Sequence, residues 1–393
     1  MNILYLADTY RPSRTACANR SAVLVGALQE AGHDVSVLTS TDSLIGAPEG
    51  CISHSNITYF ETFPLVEKTF INRLRNNFGG AREAVKVSER LGDFDVVVCT
   101  TPPLLLTVSA VKISKRKQAK LVLDVRDIWP DVAYEMGNFS STSIYGRFFE
   151  RVALKAYAAA DLVSTVTIGK VEKLKRRVPK GRVILVPNGI DETLLENEED
   201  PALVSRLRLD DGQLCVYVGN IGLAQGLGTL LDIAKVRYSV RFLLFGDGAD
   251  KAGLQKRVKD EGINNVEFCG KVDERSVYTV LRHADVAFVP LVSSRLRDSI
   301  PTKMYEAFAC GCPVLLAAEG DAADLLDACG LGAHAAPENP TALLAAFDRL
   351  IEYPFSDVER TAASAWVTNY HSRQRFARGF ANEVGKLGMS RAE

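Results

Sequence analysis

The chain has 393 residues, 47% of them hydrophobic and 24% charged, with a net charge of −1. This composition is typical of a globular protein and excludes collagen, a coiled coil and intrinsic disorder as descriptions of the whole chain. Its length predicts two or three domains of roughly 150 residues. The eight cysteines lack zinc-ligand or disulfide-scaffold spacing. We therefore expect no structural metal. Because the sequence also shows no membrane-spanning run and no signal peptide, we expect a cytoplasmic protein.

Charge is divided unevenly along the chain. Residues 1–190 contain 25 Lys and Arg against 18 Asp and Glu, a net charge of +7. Because the whole chain has a net charge of −1, residues 191–393 have a net charge of −8. A basic first half suits an anionic partner such as a membrane surface, and a chance distribution is the alternative. The basic segments are Phe70–Arg82, Lys112–Lys120 and Lys170–Arg182. Each taken singly favours a solvated charged face, whereas together with the basic first half they are consistent with contact with anionic lipid headgroups.

Short apolar runs alternate with amphipathic stretches from end to end. The runs are β-branched and uninterrupted, which is typical of strands buried on both faces of a parallel sheet. The predicted strands of the first half are Ile3–Ala7, Val35–Thr39, Val96–Thr100, Leu121–Val125, Leu162–Val166 and Val183–Val186. Those of the second half are Leu214–Val218, Val240–Phe245, Val266–Cys269, Val286–Val289 and Val314–Ala317. Predicted helices include Ala16–Glu30, Ile144–Ala159, Met304–Cys310 and a tail over Ala363–Leu387 with Trp366, Tyr370, Phe376 and Phe380 as packing anchors.

The alternation runs twice, with a break after Val186-Pro187-Asn188-Gly189. It predicts an α/β protein with two Rossmann-like, doubly wound parallel-sheet domains facing across a cleft. The predicted domains are 1–187 and 188–365, and a helix in 366–393 is expected to pack back on the first. Ligands of such sheets bind at the carboxyl ends of the strands, so candidate site residues are sought there.

The most informative stretch is 295–314, a loop followed by a helix, Gly311 and a strand. Ser299 or Thr302 is expected to cap the helix, with Pro301 in its first turn. A helix N-terminus attracts anions, and Lys303 adds a cation beside it. Glu306, one turn further on, could meet a sugar or ribose hydroxyl. A routine capped helix is the alternative.

This stretch resembles the nucleotide-sugar site of glycosyltransferase family 4, retaining enzymes of GT-B fold with an E-x7-E signature followed by GxPV. Glu306 matches the second acid, and Asp298 stands where the family has its first. The resemblance implies that Glu306 binds ribose hydroxyls and that Asp298 holds the donor sugar and diphosphate. The neighbouring residues implied in donor binding are Ser299, Ile300, Pro301 and Thr302.

Further motifs follow in the family's order, and they resemble those of bacterial N-acetyl-fucosaminyl transferase-like enzymes. Val218–Leu227 resembles the VGRxxxxKG turn, with Gly219 and Gly222 retained but Asn220 and Gln225 in place of the two cations. We expect Lys303, Arg295 or Arg297 to replace them. The remaining motifs are a GxG at Gly246 and Gly248, the V.F.G.V of 266–272 and the PNGID hinge of 187–191. A GxG alone favours a tight strand-to-helix turn. The resemblance implies that the backbone at Val272 contacts the nucleotide base.

The acceptor half has weaker signals. The loop after the first strand has no glycine, and Arg11, Arg14 and Arg20 are candidates to neutralise an anionic acceptor. Asp124–Asp131 resembles the D-x-RD-x-WP element of the same subgroup, in which Arg126 either contacts substrate or forms a structural pair with Asp. The candidate acceptor-binding residues are Thr9, Arg14, Thr15, Asn19 and Asp127.

The resemblance implies a retaining transfer of a sugar from a UDP-sugar to a hydroxyl of a saccharide, lipid-linked, in polysaccharide synthesis. It implies Asp298, Lys303 and Arg126 in catalysis, and no cofactor, metal or nucleic acid. A sugar-nucleotide epimerase and a non-catalytic paralogue are alternatives. An NAD-dependent oxidoreductase is disfavoured, since no glycine follows the first strand until Gly26.

Overall fold

The computed structural model describes residues 1–13, 15–45, 56–63, 70–179, 181–196 and 198–389. The chain divides into two compact units, Met1–Asn188 with Gln374–Glu393, and Gly189–Arg373. The predicted boundaries were 187/188 and 365/366. Within the described residues, no helix combines the length and the apolarity needed to cross a membrane.

The first unit is built on a seven-stranded parallel sheet. Its strand order is β3-β2-β1-β4-β5-β6-β7. The strands are β1 Asn2–Ala7, β2 Asp34–Ser40, β3 Ile57–Phe60, β4 Val96–Thr101, β5 Lys120–Val125, β6 Leu162–Thr165 and β7 Arg182–Leu185. The helices are α1 Ala16–Glu30, α2 Phe70–Ser88, α3 Leu106–Arg116, α4 Asp131–Glu135, α5 Ile144–Ala159 and α6 Ile168–Lys175. Successive residues of β1 enter two apolar clusters on opposite faces of the sheet, as strands covered on both sides require.

The second unit is built on a six-stranded parallel sheet of order β10-β9-β8-β11-β12-β13. The strands are β8 Leu214–Val218, β9 Arg241–Phe245, β10 Val266–Gly270, β11 Val286–Pro290, β12 Val314–Ala317 and β13 Gly332–Ala335. The helices are α7 Pro201–Leu207, α8 Gly228–Val236, α9 Lys251–Asp260, α10 Glu274–His283, α11 Thr302–Ala309, α12 Asp321–Cys329, α13 Pro340–Glu352 and α14 Asp357–Tyr370. Strand order reverses beside β1 in the first sheet and beside β8 in the second. Both sheets are therefore doubly wound, which confirms the predicted class.

The predicted tail helix is interrupted. It consists of α14 and a second helix, α15 Arg373–Met389, because a bridge pairs Ser372 with Ile190 at the unit boundary. Phe380 is fully buried in the first unit, as a packing anchor should be. Tyr370, predicted as another anchor, is 65% exposed because the helix ends there.

Candidate functional site

Glycines shape the carboxyl edge of the second sheet. Gly219 and Gly246 follow β8 and β9 with φ of 142° and 136°, a region that favours glycine. The Gly219 amide donates to the Phe245 carbonyl at 2.9 Å, and the Gly246 amide donates to the Gly270 carbonyl at 2.7 Å. A Cβ at Gly246 would overlap the Gly219 carbonyl oxygen. The backbones of neighbouring turns are therefore in direct contact.

The turn after β8 is closed by its own polar groups. The Ile221 amide donates to the Asp247 carbonyl at 2.9 Å, and a Cβ at Gly248 would overlap Ile221. The Asn220 side-chain amide donates to the Gln225 side-chain oxygen at 3.3 Å, with Gly222 packed beside both. The two residues that replace the family's cations thus bind each other, and they add no charge to this edge.

Lys303 brings a cation to the same edge. Its aliphatic end and Nζ lie against Gly219, where a Cβ would collide with them. Nζ donates to the Tyr217 hydroxyl at 2.7 Å and lies 3.9 Å from the centre of that ring. Burial lowers the pKa of Lys303 to about 8, although the nearby carboxylate of Glu306 opposes the shift. Lys303 therefore remains mostly charged at neutral pH.

The α11 N-terminus differs from the predicted capping. Pro301 is the N-cap, and neither Ser299 nor Thr302 caps the helix through its side chain. A proline cap has no side-chain acceptor for the amides of the first turn. These amides therefore give the helix start a partial positive charge beside Lys303.

The other predicted donor-binding residues surround α11. Asp298 is 7% exposed in the preceding loop, and Glu306 is partly buried within the helix. Ile300 and Val272 pack against the apolar core of this unit. Arg297 pairs with Glu319 at 2.7 Å, whereas Lys303 reaches the glycine turn. Of the three cations proposed as replacements, the structure brings Lys303 to this turn.

The first unit presents side chains rather than backbone at the corresponding edge. Thr15 caps α1 by accepting from the Ala18 amide, and its hydroxyl lies 2.9 Å from that of Thr9. Asn19 follows in the first turn of the same helix. Arg14 lies outside the described residues. The hydroxyls of Thr9 and Thr15 are thus held together at the end of β1.

Arg20 was expected to face an anionic acceptor, and this expectation is wrong. Arg20 is 7% exposed and forms a two-point salt bridge with the fully buried Asp124, at 2.7 and 2.9 Å. It also donates to the carbonyls of Val186 and Pro187. Burial alone would raise the pKa of Asp124, but Arg20 outweighs it and holds that pKa below the ordinary value. The pair is therefore a buried salt bridge that joins α1 to β5.

Arg126 directly follows β5, two residues after Asp124. It donates to the Thr100 hydroxyl at 3.2 Å and to the Pro102 carbonyl at 2.7 Å, which fixes its guanidinium. Asp127 lies 4.0 Å from Nζ of the buried Lys170. Burial raises the pKa of Asp8 to about 6; Asp42 adds to this shift and Arg126 opposes it. Cationic and anionic groups therefore share this edge.

Two of these side chains, Tyr217 and Asp8, were not among the predicted site residues. Tyr217 lies inside an apolar strand run, and only the fold shows that its hydroxyl meets Lys303. Asp8 looks like an ordinary polar residue after β1, and its raised pKa depends on burial by distant segments. Within the described part of the chain, no group of three or more His, Cys, Asp and Glu residues could hold a metal ion.

Two family models match the chain. Residues 19–194 match the model described as Glycosyltransferase Family 4, and residues 202–365 match the model described as Glycosyl transferases group 1. Together they span most of both units. The chain is therefore a glycosyltransferase, whose first segment matches the family 4 model and whose second segment matches the group 1 model.

Curated relatives and solved structures agree with this class. The chain is 24% identical over 304 residues to a probable glycosyltransferase, WbjE, of Pseudomonas aeruginosa, covering 75% of this chain and 76% of that one. It is 23% identical to WcaI of Escherichia coli K12, a putative colanic acid biosynthesis glycosyl transferase, covering 98% and 100%. Sucrose-phosphate synthase from Thermosynechococcus elongatus superimposes with a TM-score of 0.81 at 17% identity, covering 99% and 100%. The structure of Anabaena HepE in complex with UDP superimposes with a TM-score of 0.71 at 18% identity, covering 98% of this chain and 100% of that one. The fold is GT-B.

Proposed function

We propose that the protein is a retaining glycosyltransferase of polysaccharide synthesis. It transfers an N-acetylated hexosamine or deoxyhexosamine from a UDP-sugar donor. One observation carries the proposal: Lys303 lies over the glycine turn after β8, beside an α11 N-terminus without a side-chain cap. A fixed cation next to free helix amides is a site for a diphosphate. The solved structures of HepE with UDP and UDP-glucose, and the role named for WcaI, support this choice.

The chemistry assigned to this edge is stabilisation of a leaving group. The bond between the anomeric carbon and the diphosphate oxygen breaks, and the acceptor oxygen forms a new bond to that carbon on the same face. The departing phosphate oxygen accepts the acceptor proton, so no protein nucleophile is required. Lys303 and the α11 amides would bind the charge that develops on the diphosphate, where fixed dipoles are most effective.

The remaining predicted residues receive roles around that step. Glu306 would accept hydrogen bonds from the ribose hydroxyls, and Asp298 would hold the donor sugar. In the first unit, Arg126 and Asp127 are assigned to a saccharide acceptor, which we propose to be lipid-linked. The hydrogen bonds of Arg126 to Thr100 and Pro102 already orient its guanidinium for such a contact. Positioning of this kind supplies a large share of the rate enhancement in group transfer.

A thermal-shift panel with UDP, GDP, ADP, NAD and UDP-N-acetylhexosamines tests the donor. A ligand at about 100 times its dissociation constant stabilises by about 2.7 kcal/mol, which displaces the unfolding midpoint by several degrees. We expect UDP compounds alone to do so. The variant Glu306→Ala should weaken UDP binding about tenfold, whereas Glu267→Ala, an exposed acid of the same unit, should not. A shift with NAD alone would overturn the proposal.

Turnover separates the remaining alternatives. Incubation with a UDP-sugar and a saccharide acceptor should give a product whose anomeric configuration, read by NMR coupling constants, matches that of the donor. Conversion of one UDP-sugar into another without an acceptor would indicate an epimerase. Tight UDP binding without any turnover across lipid-linked acceptors would indicate a non-catalytic paralogue.

A further inference from the structure

Three helices of the first unit, α2, α3 and α5, form one exposed surface. The rings of Phe78 on α2 and Phe148 on α5 lie 6.0 Å apart, with centres close enough for direct contact. Between α2 and α3 lies a cavity of about 350 Å³ whose lining includes Phe78, Val85, Leu105 and Val108. We call this surface, with the exposed side of α5, the three-helix face.

The exposed side of α5 combines large apolar residues with unpaired cations. Ile144, Phe148, Arg151 and Lys155 follow the i, i+4, i+7, i+11 spacing of one helix side, flanked by Arg147. Ile144 is 80% exposed and Phe148 is 41% exposed. The three cations have no ion pair with any described residue. The one acid of this helix, Glu150, is partly buried, and the three cations outnumber it.

The same chemistry continues across the cavity. Arg82 and Lys112 are exposed at its rim, and neither forms an ion pair with a described residue. By contrast, cations of the basic segment around α6 are paired with acids of α4. Arg177 pairs with Asp131 at 2.9 Å, and Lys173 pairs with Glu135 at 3.1 Å. Uncompensated positive charge and exposed apolar side chains therefore coincide on the three-helix face.

We propose that the three-helix face docks on a bilayer that contains anionic lipids. Exposed apolar side chains enter the headgroup region while Lys and Arg bind the lipid phosphates, and this combination suits an interfacial surface. A nucleic acid would satisfy the cations but would leave Ile144 and the cavity lining in water. The inference deepens the proposed function, in which the acceptor is lipid-linked, but its evidence is independent of the donor site.

Vesicle flotation tests the charge requirement. The full chain should float with vesicles of phosphatidylcholine and phosphatidylglycerol, and not with phosphatidylcholine alone. Reversal of two cations in Arg147→Glu/Arg151→Glu should weaken this binding about tenfold or more. The matched control is Lys259→Glu/Arg349→Glu, which reverses two exposed, unpaired cations of the second unit. It should float as the wild type does.

A second pair of variants tests the apolar requirement. Ile144→Asp and Val358→Asp replace residues of 80% and 79% exposure in the first turn of a helix, where an acid is tolerated. The first should release the protein from anionic vesicles, and the second should not. No flotation of the wild type, equal flotation with neutral vesicles, or normal flotation of Arg147→Glu/Arg151→Glu would overturn the inference. UDP binding, measured alongside, would report separately on the donor site and on folding.

Discussion

The two sheet edges that carry the candidate sites are built differently. At the edge of the second sheet, backbone meets backbone through Gly219, Gly246 and Gly248, and Lys303 is the cation laid over the turn. At the edge of the first, side chains dominate, with Arg126, Asp127 and Asp8 around a buried Arg20–Asp124 pair. The free amides at the α11 N-terminus suit the diphosphate of the proposed donor. The side chains of the first edge suit the hydroxyls of the proposed saccharide acceptor.

The largest expected effect tests the ionic support of the first edge. Replacement Arg20→Met leaves Asp124 buried without its partner and should cost about 3–5 kcal/mol of unfolding free energy. Since Arg20 depresses the pKa of Asp124, the salt bridge stabilises above the ordinary value of 3.8 and is lost as the pH falls. The deficit, measured by urea denaturation, should therefore shrink in acid.

The control for this prediction is an exposed ion pair of the same unit. Arg182, 60% exposed, pairs with Glu383, and Arg182→Met should change stability by no more than about 0.5 kcal/mol. If both variants lose the same amount, the first edge does not depend on its buried pair.

The backbone contacts of the second edge are tested by Gly246→Ala. The new Cβ would overlap the Gly219 carbonyl, and the positive φ adds strain. We therefore expect the free energy of unfolding to fall by about 3 kcal/mol and UDP binding to be lost. Gly253→Ala, in α9 with room for a methyl group, should be neutral or stabilising. Thermal unfolding and a UDP titration measure both. A well-folded Gly246→Ala that binds UDP normally would contradict the role of this contact.

A smaller effect concerns the cation at that edge. The variant Lys303→Gln should bind UDP about ten- to a hundredfold more weakly, because a charge-assisted hydrogen bond is lost. Burial lowers the Lys303 pKa to about 8, so affinity in the wild type should fall as the pH rises through that value. Lys303→Arg keeps its charge and should abolish the fall. Calorimetric titration with UDP across this pH range measures these affinities. A wild-type affinity that does not change with pH would exclude Lys303 as the cation that binds the diphosphate.

The smallest effect concerns Asp8. Its pKa is raised to about 6, so the folded protein holds the proton more tightly than the unfolded chain does. The cost of ionising Asp8 therefore builds up as the pH rises from the ordinary value of 3.8 to about 6, and it is absent below that range. Asp8→Asn should stabilise by about 1–2 kcal/mol at pH 7.5 and leave stability near pH 3 unchanged. The variant Asp34→Asn, at an exposed position of the same unit, should leave stability unchanged at both pH values. Equal gains of Asp8→Asn at both pH values would refute the assigned cause.

Much of the fold can be predicted from the sequence because periodicity is local. Helices α1 and α5 match the predicted ranges residue for residue, and eleven of the strands lie at predicted runs. Two strands were missed for physical reasons. The run Gly332–Ala335 is made of small residues and histidine, and Ile57–Phe60 is a short strand at the sheet edge. Both are strands because a neighbour offers backbone hydrogen bonds, which no pattern of hydrophobicity records.

For the site, the sequence by itself determined which segments end at the strand edges and which carry glycine, acid and lysine. Gly219, Gly246, Lys303 and Glu306 were all predicted from such motifs. Only the tertiary structure decided that Arg20 is buried with Asp124, that Lys303 rests on Tyr217, and that α5 leaves its cations unpaired. Burial and pairing depend on residues far apart in the chain, whereas motifs and periodicity depend on neighbours.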